Sequence, residues 1–184
     1  MKRGFKSKAE KRALQLRLEV GLRETDPLPA RRLAGHLGFQ VARPAGIGAM
    51  PAEVAEWLSC DECGWSACVL QGGGIGLVLY NPVQSPGRQE SSLMHELAHV
   101  LCEHPSKAID LAGGLSLRQY VKEHEDEAAW LGGCLQLPRQ ALAHHVLRRW
   151  SPERVADHFT ASMDMVWYRY RMTGLARQMS GRGW

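Results

Sequence analysis

Five residues, His95-Glu96-Leu97-Ala98-His99, limit what this chain can be more than any other stretch. A histidine pair at this spacing suits a helix. Each helical residue turns about 100°, so positions four apart nearly superpose. His95 and His99 can then offer two imidazole nitrogens to one zinc ion, at about 2.0–2.1 Å each. Glu96 is rotated off that line, beside the metal's open position, where it suits a general base taking a proton from water. Leu93, Leu97, Val100 and Leu101 turn the other side of the helix toward a core. Ser91 or Ser92 is placed to cap its start. The same pentapeptide on a solvated amphipathic helix would carry no chemistry, so a third ligand decides the matter.

The long zinc-binding pattern with a glycine and a third histidine on the same strip is absent. Its glycine position is Cys102 and its last histidine position is Pro105. His104 is near, but on a continuing helix it points about half a turn away from His95. It therefore reads as a group behind a ligand or facing solvent. The acidic run Glu123-His124-Glu125-Asp126-Glu127 fits better. It lies on its own predicted helix, as in two-His, one-Glu sites where a second helix lends a carboxylate. Charge runs are usually solvated faces. Here Ala128, Ala129, Gly132 and Gly133 follow, and such small residues let helices approach closely, which turns a neighbouring carboxylate inward.

The rest of the chain sets bounds. Its 184 residues are enough for a real core. Hydrophobic content of 45% and charged content of 23% are those of an ordinary globular protein. A net charge of +4 does not by itself imply nucleic-acid binding. No run has the apolar length of a membrane span. The basic start, Met1-Lys2-Arg3-Gly4-Phe5-Lys6, is followed by Glu10, Lys11, Arg12, Arg17 and Glu19 rather than by an apolar stretch, so a cytoplasmic protein is expected. Five cysteines, Cys60, Cys63, Cys68, Cys102 and Cys134, are an odd set without a secretion signal. Cys60 and Cys63 have the spacing of half a zinc knuckle with no second half, and read as reduced thiols in a turn.

Periodicity predicts an amphipathic helix over residues 8–24, with Leu14, Leu18 and Leu22 on its apolar stripe. It predicts a short helix over 30–37 closed by Gly38, a strand at 39–41, and a helix through 55–58 with Pro51 in its first turn. The apolar runs at 67–70 and 75–80 flank Gly72-Gly73-Gly74 and predict a hairpin. Residues 85–88 read as loop before the His-Glu helix, which Pro105 ends. A glycine-containing loop runs through Gly113-Gly114. Helices follow over 120–136, over 139–149, from Ser151-Pro152, and from Ser162 to Gly174, with a disordered tail from Ser180.

Three stretches together resemble the ImmA/IrrE family of metallopeptidases. The first runs from Tyr80-Asn81-Pro82 through Ser85-Pro86-Gly87-Arg88-Gln89 into the His-Glu helix. The second is Glu125-Asp126-Glu127-Ala128-Ala129-Trp130-Leu131-Gly132-Gly133-Cys134-Leu135-Gln136-Leu137-Pro138, similar to the family's Glu-x-x-Ala-Asn/Asp-x-Phe-Ala-Ala-x-Leu-Leu-x-Pro. The third runs from Phe159-Thr160-Ala161-Ser162 through Tyr170-Arg171-Met172-Thr173-Gly174. The resemblance implies that His95 and His99 are zinc ligands, that Glu96 is the base, and that Glu125 is the third ligand, with Glu127 in reserve. Ala129 departs from the family's Asn/Asp, which would orient a metal-bound histidine.

The expected fold class is α+β: a mostly helical zincin-like domain with a small antiparallel sheet over 1–150, a helix-turn-helix-like helical extension over 151–178, and a tail over 179–184. The expected function is zinc-dependent peptide hydrolysis. By position, Tyr120 or His124 would stabilise the oxyanion. Strand 75–80 would either bind an extended substrate by edge pairing or be plain core sheet. The resemblance further implies a narrow regulatory endopeptidase whose partner is a helix-turn-helix transcriptional repressor. Two readings compete with it. In one, residues 154–169 form a DNA-binding helix-turn-helix, with Arg169, Arg171 and Arg177 adding basic charge. A segment beginning Met163-Asp164-Met165 is a poor reader of bases, however, and the same stretch reads more readily as a helical hairpin packing on the catalytic part. In the other, a toxin–antitoxin or phage-related regulator acts by binding alone, with a degenerate metal site.

Overall fold

The structure, a computed structural model, describes residues 2–48, 50–60, 64–72, 74–111, 115–118 and 121–180. Helix α4 (Pro86–Leu101) is the axis of the fold. Leu93, Met94, Leu97 and Ala98 are buried on it, and burying each large side chain contributes about 1.5–3 kcal/mol. One flank of α4 packs on a three-stranded mixed sheet in the order β1 (Phe39–Ala42), β3 (Ile75–Tyr80), β2 (Ala67–Gly72). Strand β1 runs parallel to β3, with Val41 opposite Val78. Strand β2 runs antiparallel to β3 as the predicted hairpin, with Val69 opposite Val78. The other flank packs on α5 (Lys122–Gln136). Gly132 permits that approach, since a Cβ there would lie 3.1 Å from both Met94 O and His95 Cα.

Helices α1 (Phe5–Glu19) and α2 (Ala30–His36) close this core, and α3 (Ala52–Trp57) precedes the hairpin. The buried face of α1 is not the Leu14–Leu18–Leu22 stripe expected from periodicity. Leu18 is exposed, and Ala9, Ala13, Leu16 and Arg17 are buried instead. The alanines let α1 lie close to α5. Arg17 is buried because its guanidinium donates to Leu135 O at 2.6 Å and Gln136 O at 3.3 Å, satisfying carbonyls that the end of α5 leaves without helical partners.

Other boundaries also moved. Residues 86–88 are helical rather than loop: Pro86 takes the first helical position, where its missing N–H costs nothing. Ser91 does not cap the helix but lies inside it, 2.8 Å from Gly87 O and 2.9 Å from Gln136 Oε1. The stretch expected to be loop after α4 contains a second hairpin, β4 (Ser106–Leu111) and β5 (Leu115–Arg118). Pro51 stands just before α3 rather than in its first turn. Cys60 is disulfide-bonded, against the expectation of reduced thiols, and Cys63 lies outside the described residues.

Four helices complete the chain: α6 (Arg139–Leu147), α7 (Pro152–Phe159), α8 (Met163–Thr173) and α9 (Leu175–Ser180). Ser151 and Ser162 cap α7 and α8 as predicted, each Oγ accepting a backbone N–H at 3.2 Å. Helix α9 was not foreseen. Leu142, Val155, Phe159, Val166, Tyr170 and Leu175 form a second apolar cluster between these helices.

Candidate metal centre

Helices α4 and α5 bring three donors together. His95 Nε2 and His99 Nε2 are 3.1 Å apart. Glu125 reaches across from α5, with Oε2 3.1 Å from His95 Nε2 and Oε1 3.4 Å from His99 Nε2. Ligand atoms held about 2.0–2.1 Å from a tetrahedral zinc are separated by about 3.3 Å. The triangle of donors therefore has the size such an ion needs, and two imidazoles with one carboxylate are a suitable donor set. His99 is buried, while the His95 and Glu125 side chains remain about a third exposed, at 30% and 31%. The open face of the triangle is on that side.

Beside it runs a cleft of about 360 Å³. His95 and Glu96 of α4 line it together with Ala67 at the start of β2, Ala129 of α5, and Met165 and Tyr168 of α8. Glu96 is buried at this wall. Burial pushes the Tyr168 phenol above its ordinary range. Because α8 forms one side of the cleft, the helical hairpin of α7 and α8 packs on the part of the chain that carries the donors. Arg169, counted in the sequence as DNA-facing charge, is fully buried and pairs with Glu10 at 2.6 Å. It is therefore withdrawn from any phosphate-binding surface. Strand β3 is paired on both sides, so it has no edge to offer a substrate; the strand at the cleft, β2, ends the sheet.

The other residues singled out in the sequence fall elsewhere. Tyr120 lies outside the described residues. His124 stacks on His104, with ring centroids 4.3 Å apart and planes at 13°. The two line a different cavity, with Cys102 and Glu127. Glu127 faces His104 rather than the donor triangle, with Oε2 3.3 Å from His104 Nε2, and it accepts the Lys2 backbone N–H at 3.2 Å. Burial alone would raise the Glu127 carboxyl, but the Lys2 N–H and the His104 ring outweigh it and hold the group below its usual range. The packing of α7 and α8 on the donor-bearing part is the one expected for the helical hairpin; the α8 residues that face the cleft, Met165 and Tyr168, were not singled out, because only the helical period is visible in the sequence.

Metal-assisted hydrolysis is the chemistry such a donor triangle and buried carboxylate suit, and the mostly helical α+β frame around them is zincin-like. Comparison with protein families points the same way: the IrrE N-terminal-like domain, Peptidase_M78, matches residues 54–171, more than half of the sequence. The chain belongs to that family, which is of metallopeptidase type. The match spans His95, His99 and Glu125 and ends inside α8. No curated protein and no solved structure matched. No described helix is long and apolar enough to cross a membrane.

Proposed function

We propose that this protein is a zinc-dependent endopeptidase that cuts one protein substrate at few sites, and that the substrate is a helix-turn-helix transcriptional repressor. The observation that carries the enzymatic reading is the His95–His99–Glu125 triangle, whose His95 lines a cleft together with buried Glu96. The substrate class rests on the family resemblance alone. A zinc ion held by the three donors would supply Lewis-acid polarisation of a peptide carbonyl and acidify water. Glu96, buried beside His95, would serve as the base that takes a proton from water and returns it to the leaving amine. Ala67 at the start of β2 offers backbone at the cleft for an extended peptide, beside the part of β2 against which β5 packs. Tyr168 lines the same space.

Glu96→Gln separates catalysis from binding, because an amide cannot take up the water's proton. The variant should keep about one zinc per chain yet lose turnover by roughly 10²–10⁴-fold. The assay incubates the zinc-loaded protein with repressors encoded near its gene and follows fragments by mass spectrometry. Fragments that persist with Glu96→Gln would remove Glu96 from the chemistry. A zinc-loaded wild-type protein that cuts no repressor would favour action by binding alone.

A further inference from the structure

The end of α4 puts a second histidine behind the first. The helix closes at Leu101, and Glu103 turns into the left-handed region at φ 53°. The Glu103 N–H donates to Val100 O at 3.0 Å and the His104 N–H donates to His99 O at 3.1 Å. This is the paired hydrogen-bond pattern of a Schellman ending, in which the residue after the left-handed one folds back over the residue five positions before it. That contact is usually apolar. Here it is imidazole on imidazole: His104 Nδ1 lies 2.9 Å from His99 Nδ1, with ring planes at 72°. The sequence leaves His104 either behind a ligand or facing solvent, and the left-handed turn at Glu103, in place of a continuing helix, puts it behind His99.

We propose that His104, held by Glu127, is a positioning residue that orients His99 toward the donor triangle. The inference rests on the metal-centre reading above. The protons follow from the geometry. A ligating His99 Nε2 carries no proton, so Nδ1 carries it and donates to His104 Nδ1. His104 Nε2 then carries the second ring's proton and donates to Glu127 Oε2 at 3.3 Å. Glu127 is fixed in turn by the Lys2 backbone N–H, and the His104 ring by its stack on His124. The arrangement is a carboxylate–histidine support for a ligand, lengthened by one imidazole. It also offers a route around the departure at Ala129: that position has no amide or carboxylate, and the support reaches His99 from the end of α4 through His104 and Glu127.

Two variants at one position test this. His104→Phe keeps the ring and its stack on His124 but has no acceptor. His104→Asn places an amide oxygen near the position of Nδ1. Zinc affinity, read by competition with a chelator, should fall about 10–100-fold in His104→Phe. It should recover to within tenfold of wild type in His104→Asn. The metal-free protein supplies an independent readout: nitrogen-15 spectra should show His99 protonated at Nδ1, slow to exchange in wild type and lost in His104→Phe. His104→Phe that binds zinc like wild type, or His104→Asn as weak as His104→Phe, would overturn the proposal. So would a zinc-binding wild type without the His99 Nδ1–H signal. A wild type that shows that signal but binds no zinc would sink the metal reading while upholding the orientation of His99.

Discussion

Glu125 and Glu127 stand two residues apart on α5, yet each meets a different imidazole. Glu125 bridges His95 and His99, whereas Glu127 meets His104. Glu125→Gln should therefore weaken zinc binding more than Glu127→Gln does, because the first removes a charged donor and the second only its support. Chelator competition checks the order, and the reverse order would make Glu127 the ligand. His145, remote from the donors, carries a separate consequence. Its ring is buried against Trp150, with centroids 4.0 Å apart, and neither ring nitrogen has a hydrogen-bond partner among the described residues. Burial, then the neighbouring His158, His144, Arg148 and Arg154, push its pKa down from 6.5 to about 4. The unfolded chain takes a proton near pH 6.5 that the folded one refuses until about pH 4. This contribution to stability is complete above pH 6.5 and is lost as the pH falls through that window, by roughly 3 kcal/mol in full. Urea midpoints between pH 7 and pH 4.5 should show a decline that His145→Phe reduces. An unchanged slope in the variant would assign the decline to other groups.

At the level of elements, the site depends on contacts too close for side chains. The first turn of α4 touches the turn between α7 and α8 at Gly87, where a Cβ would lie 2.8 Å from the backbone C and O of Ala161. That contact fixes the α8 wall of the cleft relative to the helix bearing Glu96. Gly87→Ala must move backbone against backbone, at a cost of about 1–3 kcal/mol. It should raise KM more than it lowers zinc affinity, since the donor triangle spans α4 and α5 alone. Thermal melts, zinc titration and peptidase kinetics separate these effects; equal loss of both would show that α8 also supports the triangle. These dependences explain what was legible in the sequence. The helix that carries His95 and His99, the Ser151 and Ser162 caps and the β2–β3 hairpin rest on residues near one another in the chain, and the structure has each of them. The turn at Glu103 breaks a local rule, since a left-handed residue is usually glycine. With that turn hidden, the sequence could not choose for His104 between a place behind a ligand and one facing solvent.

Across the whole molecule, the parts least legible were charged residues whose partners are far away in the chain. Arg17 and Arg169 enter the sequence reading only as charge, with no partner visible. In the fold they converge from α1 and α8 on the end of α5, the helix that carries Glu125. Arg17 donates to Leu135 O and Gln136 O, and Arg169 Nε donates to Leu137 O at 2.9 Å. Burial lowers Arg17 to about 10, still far above neutrality, so it stays charged beside carbonyls that favour a cation. Glu10 supplies the carboxylate for Arg169 and also accepts the Arg139 backbone N–H at 3.1 Å. One acidic residue of α1 thus joins the start of α6 to α8, linking the two apolar clusters. Glu10→Leu leaves the Arg169 charge buried without its partner and should lower stability by about 3–5 kcal/mol. Removing both charges, in Glu10→Leu with Arg169→Met, leaves neither member of this pair buried without the other and should restore much of that loss. Urea unfolding of the two single variants and the double variant measures the coupling. If the double variant is as unstable as the two single losses added together, the pair does not act as a unit, and the join between α1 and α8 rests on apolar packing instead.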